Sequence, residues 1–285
     1  QYVLITDQKG AIIHDPILLK LGENHFWLSI ADSDVLLWAR GVLVNSNMDL
    51  EISEPDVSPL QLQGPKSRKI LQAAFGDAPA ELKYYHFMEY VWDGIPLIIS
   101  RTGWSSELGY EIYLRDGSQG DRLWEHLMAV GAPLGLKPGH TSSIRRIEAG
   151  MLSYQADMTL ENNPYELGLE RLVDLDTDTD FVSKSALHKI KKIGVVKKLV
   201  GLEIDGDPLV GSNDFYWPVL KNDKKVGMIT SAIYSPRLKK NIALAMIGVK
   251  DIKLNAALKV VNSNDVRACH FTSIPFYDPK KLLAS

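Results

Sequence analysis

The segment RTGWSSELGYEIYL, residues 101–114, concentrates side chains that can bind a polar ligand. Its tail alternates, so in a strand Glu111 and Tyr113 point to one face and Tyr110 and Ile112 to the other. A carboxylate and a phenol on one face can accept and donate hydrogen bonds. If Ile112 faces the core, Glu111 and Tyr113 face solvent or a cavity, and for a glutamate considered alone solvent is the more common environment.

Other residues suggest charge recognition. Trp104 lies in a glycine-containing turn, and an aromatic face attracts a cation, although a single tryptophan more often serves packing. Asp15 ends an apolar strand and precedes Pro16. The basic run RLKK at 237–240 leads into an apolar strand and can hold an anionic ligand tail. The run KKIGVVKK at 191–198 is typical of a solvated face.

Several other chemistries lack their residues. No histidine or cysteine pair has the spacing of a zinc site, and no protein-bound metal is expected. The sequence contains no GxxxxGK[ST], GxGxxG or GxSxG motif. Cys269 is followed by His270, but adjacent residues of a strand point to opposite faces, so we do not expect a nucleophilic Cys–His pair.

The elements that must position these residues follow from periodicity and turn signals. Residues 2–30 are predicted to form three strands, followed by a helix over 31–43 with Asp32 or Ser33 as its N-cap. A hairpin is predicted to turn at Asp93-Gly94. The other predicted helices cover 65–76, 120–131, a segment that starts near 141, and 183–193. From residue 197 onward short strands predominate, which predicts a small all-β domain.

Composition narrows the class of protein. A chain of 285 residues favours two or three domains. Its net charge of −3 argues against a general nucleic-acid binder. The single cysteine fits a reducing compartment, so we expect a cytoplasmic location, and no apolar run is long enough for a membrane span. The chain starts within a strand and without Met, which leads us to expect a further segment upstream.

Seven segments together, in this order, resemble the folate-dependent aminomethyltransferase family, whose type member is the glycine-cleavage T-protein. They are QYVLITDQKGAIIHDP, LQLQGPKS, SRTGWSSELGYEIY, IRRIEAGM, NPYELGLERLV, VGMITSAIYSPRLKKNIALAMI and PFYDP. These segments extend from residue 1 to residue 279. The resemblance implies an α+β cloverleaf of three domains, with two interleaved α/β domains of mainly antiparallel sheets and a C-terminal β-barrel. The implied boundaries are 1–54 with 132–195, 55–131, and 196–285.

The resemblance also implies roles for individual residues. Tetrahydrofolate is the implied co-substrate, with Glu111 on the pterin, Tyr2 and Tyr113 lining the folate site, and Arg146 as the folate-site arginine. Asp15 resembles the family aspartate beside the reactive nitrogens N5 and N10, and it is the predicted catalytic residue as well as a predicted folate contact. The predicted substrate-binding residues are Trp104, Tyr113 and Ser29, with Trp27 as a further aromatic candidate.

Three departures from the T-protein pattern indicate a branch of the family. His14-Asp15 stands where T-proteins usually have two aspartates, GWSSE where they have GYTGE, and Ser142-Ser143 where they have Arg-Asp. This pattern resembles the branch that moves a methyl group from dimethylsulfoniopropionate (DMSP), a sulfonium, to tetrahydrofolate. Direct transfer from a sulfonium requires alignment of N5, methyl and sulfur, without a metal or a covalent enzyme intermediate.

Two alternatives remain. The first is an aminomethyltransferase of glycine cleavage, or another folate-dependent enzyme that acts on an N- or O-methyl donor. The second is a non-catalytic folate-binding relative, but that branch carries a cysteine in a KGCYxGQ-like motif, and NPYELGLE has none. The expected partners are a small sulfonium substrate and folate, with no nucleic acid and no membrane. A homodimer is left open.

Overall fold

The computed structural model describes residues 1–31, 33–253, 256–263 and 265–284. Within them the chain forms two compact units: residues 1–35 with 143–279, and residues 36–142 with the chain end from Lys280. In chain order the helices are α1 (Val35–Leu43), α2 (Ser67–Phe75), α3 (Asp77–Ala80), α4 (Gly120–Gly131), α5 (Ser143–Glu148) and α6 (Lys184–Ile193).

The strands are short in the first part of the chain and longer in the last part. They are β1 (Ile5–Thr6), β2 (Ile12–His14), β3 (Ile17–Lys20), β4 (Phe26–Ser29), β5 (Ser58–Gln63), β6 (Phe87–Trp92), β7 (Ile95–Ser100), β8 (Gly109–Leu114), β9 (Lys197–Ile204), β10 (Trp217–Lys221), β11 (Lys224–Ser235), β12 (Lys240–Gly248), β13 (Leu258–Val261) and β14 (Val266–Thr272). All strand pairs between them are antiparallel.

The unit that contains Glu111 is built on a four-stranded sheet in the order β5-β8-β7-β6. Helices α2 and α4 cover one face of this sheet, where alternate strand residues meet apolar helix residues. The largest contributors to this core are Leu71, Phe75, Leu97, Ile99, Tyr110, Ile112, Leu114 and Leu123. Because side chains alternate along β8, the opposite face of the sheet carries Glu111 and Tyr113.

The chain end belongs to the same unit and is held by a buried arginine. The Arg101 side chain is 1% exposed and donates from Nη1 to the carbonyl oxygen of Ala284 at 2.7 Å. Its guanidinium lies over the rings of Tyr84 and Tyr110, at 5.8 and 5.3 Å from their centroids. Arg101 thus links the end of β7 to a segment 183 residues later in the chain.

The other unit contains two small hairpins and the barrel. Strands β1 and β2 pair around the turn at Asp7–Gly10, and β3 pairs with β4. The six strands of the barrel close in the order β10-β11-β12-β9-β14-β13, around an interior of apolar side chains. Helix α5 packs on the barrel wall, where Ile147 contacts Ile233 and Ile242.

The predictions for the elements are largely confirmed. The α+β class, the antiparallel sheets, the Asp93-Gly94 hairpin and the all-β C-terminal part are present. The three strands predicted over 2–30 are four, because Asp15-Pro16 interrupts the apolar run between β2 and β3. The division into three domains with boundaries at 54/55, 131/132 and 195/196 stays a prediction.

The helix predicted over 31–43 begins later than expected, at Val35. Ser33 Oγ accepts a hydrogen bond from the backbone N–H of Val35 at 3.4 Å, which supports Ser33 as the cap. The alternative cap, Asp32, lies outside the described residues. Among the described residues, no helix is long and apolar enough to cross a membrane.

Candidate functional site

Glu111 is a buried carboxylate at the centre of a polar cluster. Only 9% of the residue is exposed, so Glu111 does not have the solvent environment that is more common for a glutamate considered alone. Its Oε1 accepts a hydrogen bond from Gln61 Nε2 at 3.0 Å, and its Oε2 accepts from the hydroxyls of Thr102 and, at 3.3 Å, Tyr113. Thr102 Oγ1 also lies 2.8 Å from Ser100 Oγ. The structure thus brings the predicted pair of Glu111 and Tyr113 together.

Strand register explains why these groups converge. On β8, Glu111 is directly opposite Gln61 of β5 and Ser100 of β7, and directly opposed side chains share one face of a sheet. Gln61, Ser100 and Thr102 were not among the predicted site residues. A signal for Gln61 was available in the segment LQLQ, where two glutamines alternate with the core leucines Leu60 and Leu62.

The acceptor capacity of Glu111 decides what it can still bind. A carboxylate has about four lone-pair positions, and the hydrogen bonds from Gln61, Thr102 and Tyr113 occupy three of them. The bond from Tyr113 is the longest of these and the easiest to exchange. A ligand edge with two N–H donors fits if it takes the remaining position on Oε1 and displaces the Tyr113 hydroxyl from Oε2.

Gln63 anchors the loop that carries Trp104. Its Nε2 donates to the carbonyl oxygens of Thr102 at 3.3 Å and Tyr110 at 3.2 Å, and its Oε1 accepts from Ser105 Oγ at 2.5 Å. A Cβ atom at Gly103 or at Gly109 would overlap the Gln63 amide. The two glycines that flank WSSEL are therefore required by this close approach.

We expect Gly109→Ala to lower the free energy of unfolding by about 1–3 kcal/mol, because the new methyl group displaces a hydrogen-bonded amide. Gly120→Ala is the matched control, since a Cβ there meets nothing within 4 Å and the backbone is already helical. Urea denaturation measures both. If Gly109→Ala costs no more than Gly120→Ala, or if adding Gln63→Ala recovers none of the loss, the anchoring role of Gln63 is wrong.

In the other unit, Asp15 is fixed by several neighbours. Tyr2 donates its hydroxyl to Asp15 Oδ2 at 2.8 Å, so two predicted site residues are in contact. The backbone N–H of Asp15 donates to His14 Nδ1 at 2.9 Å, and the Asp15 side chain is 15% exposed. The His14 ring stacks on Tyr154 with 4.5 Å between ring centroids. Burial, followed by the charges of Asp34 and Asp15, raises the pKa of Tyr154, which keeps this phenol protonated at neutral pH.

Arg146 lies in the same unit as Asp15 but in a separate buried network. The residue is 7% exposed, and its Nη1 donates to Asp157 Oδ2 at 2.8 Å while Nη2 donates to Ser231 Oγ at 2.8 Å. Asp157 Oδ1 accepts from the hydroxyls of Thr230 and Ser231, at 2.6 and 2.7 Å. The network joins α5 to β11 of the barrel, so Arg146 has a structural role whatever else it binds.

The basic run at 237–240 is largely occupied by protein contacts. Arg237 lies 4.3 Å from the centroid of the Tyr277 ring and 3.7 Å from Glu148 Oε2. Glu148 is buried and also accepts from Ser235 Oγ at 2.6 Å. Lys240 forms an ion pair with Glu203 at 2.8 Å. The hypothesis that this run holds an anionic ligand tail stays a prediction, now weakened by these contacts.

The remaining candidate residues are Ser29 and Trp27 on β4 and the adjacent pair Cys269 and His270 on β14. Ser29 ends β4 opposite Ile17, and Trp27 lies opposite Leu19 and contacts His25 edge-on at 6.5 Å between ring centroids. Burial raises the pKa of Cys269 to about 12, with a smaller contribution from Asp205, so the thiolate does not form at neutral pH. His270 points outward from the same strand and lies 3.3 Å from Glu203. Over the described residues, no group of three or more His, Cys, Asp or Glu side chains has the geometry of a metal site.

Comparison with known proteins places the chain in a family. The family model described as the GCVT N-terminal domain matches residues 1–177. The model described as the glycine cleavage T-protein C-terminal barrel domain matches residues 197–278, which contain the closed barrel. The crystal structure of the glycine cleavage system aminomethyltransferase T from Bartonella henselae has the same fold, with a TM-score of 0.80 over 97% of this chain and 75% of that one, at 22% identity.

Two relatives of known name differ in their sequence identity to this chain and in the share of the chain that they match. The dimethylsulfoniopropionate demethylase DmdA of Ruegeria pomeroyi is 37% identical over 86% of this chain, which spans 66% of the length of that enzyme. An aminomethyltransferase of Bacillus cereus (strain AH187) is 32% identical over 99% of this chain, which spans 77% of the relative.

Proposed function

Because this chain belongs to the glycine cleavage T-protein family, we propose that it is a tetrahydrofolate-dependent methyltransferase that demethylates dimethylsulfoniopropionate to methylthiopropionate. The observation that supports this most is the similarity to the DMSP demethylase, whose identity of 37% exceeds the 32% of the aminomethyltransferase. Trp104 and Glu111 belong to one short motif, in which the aromatic ring suits a cationic methyl donor and the carboxylate suits the pterin of folate. The single cysteine keeps a reducing compartment such as the cytoplasm as the proposed location.

The chemistry requires little from the protein beyond binding and alignment. Bound tetrahydrofolate would supply the nucleophilic N5, which takes the methyl carbon while the C–S electron pair leaves with sulfur as a neutral sulfide and the N5 proton is released to solvent. Holding the reactants at near-attack distance is the main rate enhancement available to such a reaction. We assign Asp15 to stabilise the positive charge that develops on N5, which a fixed carboxylate does without reorganisation.

For folate we propose Glu111 as the pterin acceptor, with Tyr113, Tyr2 and Arg146 as further folate contacts. The hydrogen bonds described for Glu111 support this role, because they leave one acceptor position on Oε1 and because the long bond from the Tyr113 hydroxyl can be exchanged for a ligand donor. For the sulfonium we propose Trp104, with Tyr113 and Ser29 as further substrate contacts. A cation over an aromatic ring gains about 0.5–2 kcal/mol.

We expect Glu111→Gln to raise the Kd for tetrahydrofolate by about 30-fold, because a charge-assisted acceptor becomes a neutral amide that presents a donor to the pterin edge. Isothermal titration calorimetry measures this without requiring turnover. Glu89→Gln is the control, because Glu89 is an exposed carboxylate of the same sheet that pairs with Arg115. An unchanged Kd in Glu111→Gln would remove Glu111 from the folate site.

We expect Trp104→Ala to raise the KM for DMSP by about 10-fold and to leave the Kd for tetrahydrofolate nearly unchanged, since the role proposed for the ring is to bind the cation. Trp124→Ala is the control, because Trp124 is an exposed tryptophan on α4 of the same unit. Steady-state kinetics with each substrate varied in turn separates the two constants. Equal losses for both substrates would place Trp104 in the folate site or in the scaffold.

A second candidate function is aminomethyl transfer in glycine cleavage, favoured by the similarity to the Bacillus aminomethyltransferase over 99% of the chain. A comparison of donors distinguishes the two functions. We expect methylated folate with DMSP and no ammonia from an aminomethyl-lipoyl carrier protein. Ammonia release without transfer from DMSP would overturn the first proposal. Folate binding without turnover of either donor would instead indicate a non-catalytic folate-binding protein.

A further inference from the structure

The His14 side chain is an unusual occupant of its position. It is 3% exposed and shares a face of β2 with Ile12, which lies in an apolar core with Leu152 and Met158. An aliphatic side chain would fill such a position without polar atoms to satisfy. His14 Nε2 is buried and has no hydrogen-bond partner within the described part of the chain. Packing therefore does not explain the choice of histidine, since an unsatisfied buried donor is unfavourable.

The other ring nitrogen has a definite partner. The backbone N–H of Asp15 donates to His14 Nδ1 at 2.9 Å, which requires a lone pair on Nδ1 and so places the ring proton on Nε2. The Asp15 Oδ1 atom lies 3.3 Å from the same nitrogen. The ring itself is held by stacking on Tyr154. Both polar groups described beside Nδ1, the backbone N–H and Oδ1, thus belong to Asp15.

Two further restraints act on the same residue. Pro16 confines the backbone of Asp15 to extended conformations, and the Pro16 carbonyl oxygen accepts from the N–H of Val3 at 3.0 Å. The Tyr2 hydroxyl holds Asp15 Oδ2 at 2.8 Å. His14 thus fixes the N–H side of Asp15, Pro16 its carbonyl side and Tyr2 its carboxylate. This degree of restraint is what a charge that must not reorganise during a reaction requires.

We infer that His14 is a positioning residue, which sets the Asp15 carboxylate through its neutral Nδ1 acceptor. This inference rests on the role proposed for Asp15 and adds a residue to it. The variants His14→Asn, His14→Gln and His14→Leu separate the two nitrogens. Asparagine places an acceptor near Nδ1, glutamine places a polar group near Nε2, and leucine retains only apolar volume.

The kinetic test measures kcat for methyl transfer and, separately, the Kd for tetrahydrofolate and the melting temperature. We expect His14→Leu and His14→Gln to lower kcat by about tenfold, the effect of one lost hydrogen bond on alignment, with the Kd nearly unchanged. His14→Asn should retain kcat within about threefold. Equal losses in His14→Asn and His14→Leu, or a loss of kcat that follows the melting temperature across all three variants, would overturn the inference.

A second measurement needs no turnover. Long-range ¹H–¹⁵N NMR of the protein labelled at histidine nitrogens reports which ring nitrogen of His14 carries the proton, with His14→Asn identifying its signals. We expect protonation at Nε2 and an unprotonated, hydrogen-bonded Nδ1. A proton on Nδ1 would overturn the inference even in an active enzyme. The expected tautomer in a protein that transfers no methyl group would mean that the proposed function, and not the geometry of His14, is wrong.

Discussion

Arg146→Ala is expected to lower the free energy of unfolding by about 3–5 kcal/mol, the usual consequence of leaving one partner of a buried ion pair without the other. Asp157 is 2% exposed and would keep its charge beside only the hydroxyls of Thr230 and Ser231 and the N–H of Ser153. Urea denaturation followed by circular dichroism measures the change. The loss is a property of the contact between α5 and the barrel and does not require folate.

Arg145→Ala is the matched control, because Arg145 is the neighbouring residue of the same helix but its side chain is 38% exposed. We expect a smaller loss of stability, because solvent screens the Arg145 guanidinium and its buried partner Glu148 also has Arg237 and the Ser235 hydroxyl as neighbours. The double variant Arg146→Met with Asp157→Leu should recover part of the loss, as apolar replacements of buried pairs often do. If Arg146→Ala keeps its stability and loses folate binding, Arg146 is a ligand-binding residue and its structural role is minor.

Asp15→Asn is expected to lower kcat by about 100-fold, because the fixed negative charge beside the developing cation is lost. The amide retains an oxygen that can accept from Tyr2, so the fold and the KM values should change little. Tyr2→Phe is the matched variant. It removes one hydrogen bond to Asp15 and keeps the charge, and its kcat should fall by about threefold to tenfold.

Pre-steady-state methyl transfer distinguishes a slow chemical step from slow product release in both variants. We expect the single-turnover rate of Asp15→Asn to fall as much as its kcat. A loss of less than threefold in Asp15→Asn, or equal losses in Asp15→Asn and Tyr2→Phe, would show that the charge of Asp15 contributes little to the reaction.

Much of the local structure could be predicted because local patterns determine it. The alternation in GYEIYL places Glu111 and Tyr113 on one face, and Asp93-Gly94 forms a hairpin turn whatever surrounds it. The two glycines that flank WSSEL can be read from the sequence, but the sequence does not show why glycine is needed at these two positions. Gln63, which requires them, lies in β5, and only the register of β5 against β8 brings it between Gly103 and Gly109.

The features that escaped prediction depend on contacts between distant parts of the chain. Gln61 and Glu111 are 50 residues apart, and nothing local fixes which residue of β5 opposes Glu111. The alternation along β8 left solvent and a cavity open for Glu111 for the same reason, since its exposure depends on what covers the second face of the sheet. The partner of Arg146 and the neighbours of Nδ1 and Nε2 of His14 are likewise tertiary properties. The sequence shows that these residues are polar, but it does not show which of them form hydrogen bonds or ion pairs within the protein.

We propose that the methyl group passes directly from DMSP to tetrahydrofolate on this protein. The most direct measurement uses DMSP labelled with ¹³C in its methyl groups and follows the reaction with tetrahydrofolate by NMR. We predict 5-[¹³C]methyltetrahydrofolate and labelled methylthiopropionate in equal amounts, with Glu111→Gln slowing both equally at limiting folate. Methylthiopropionate formed without labelled folate, or no conversion of DMSP by a protein that binds tetrahydrofolate, would show that this direct transfer does not take place.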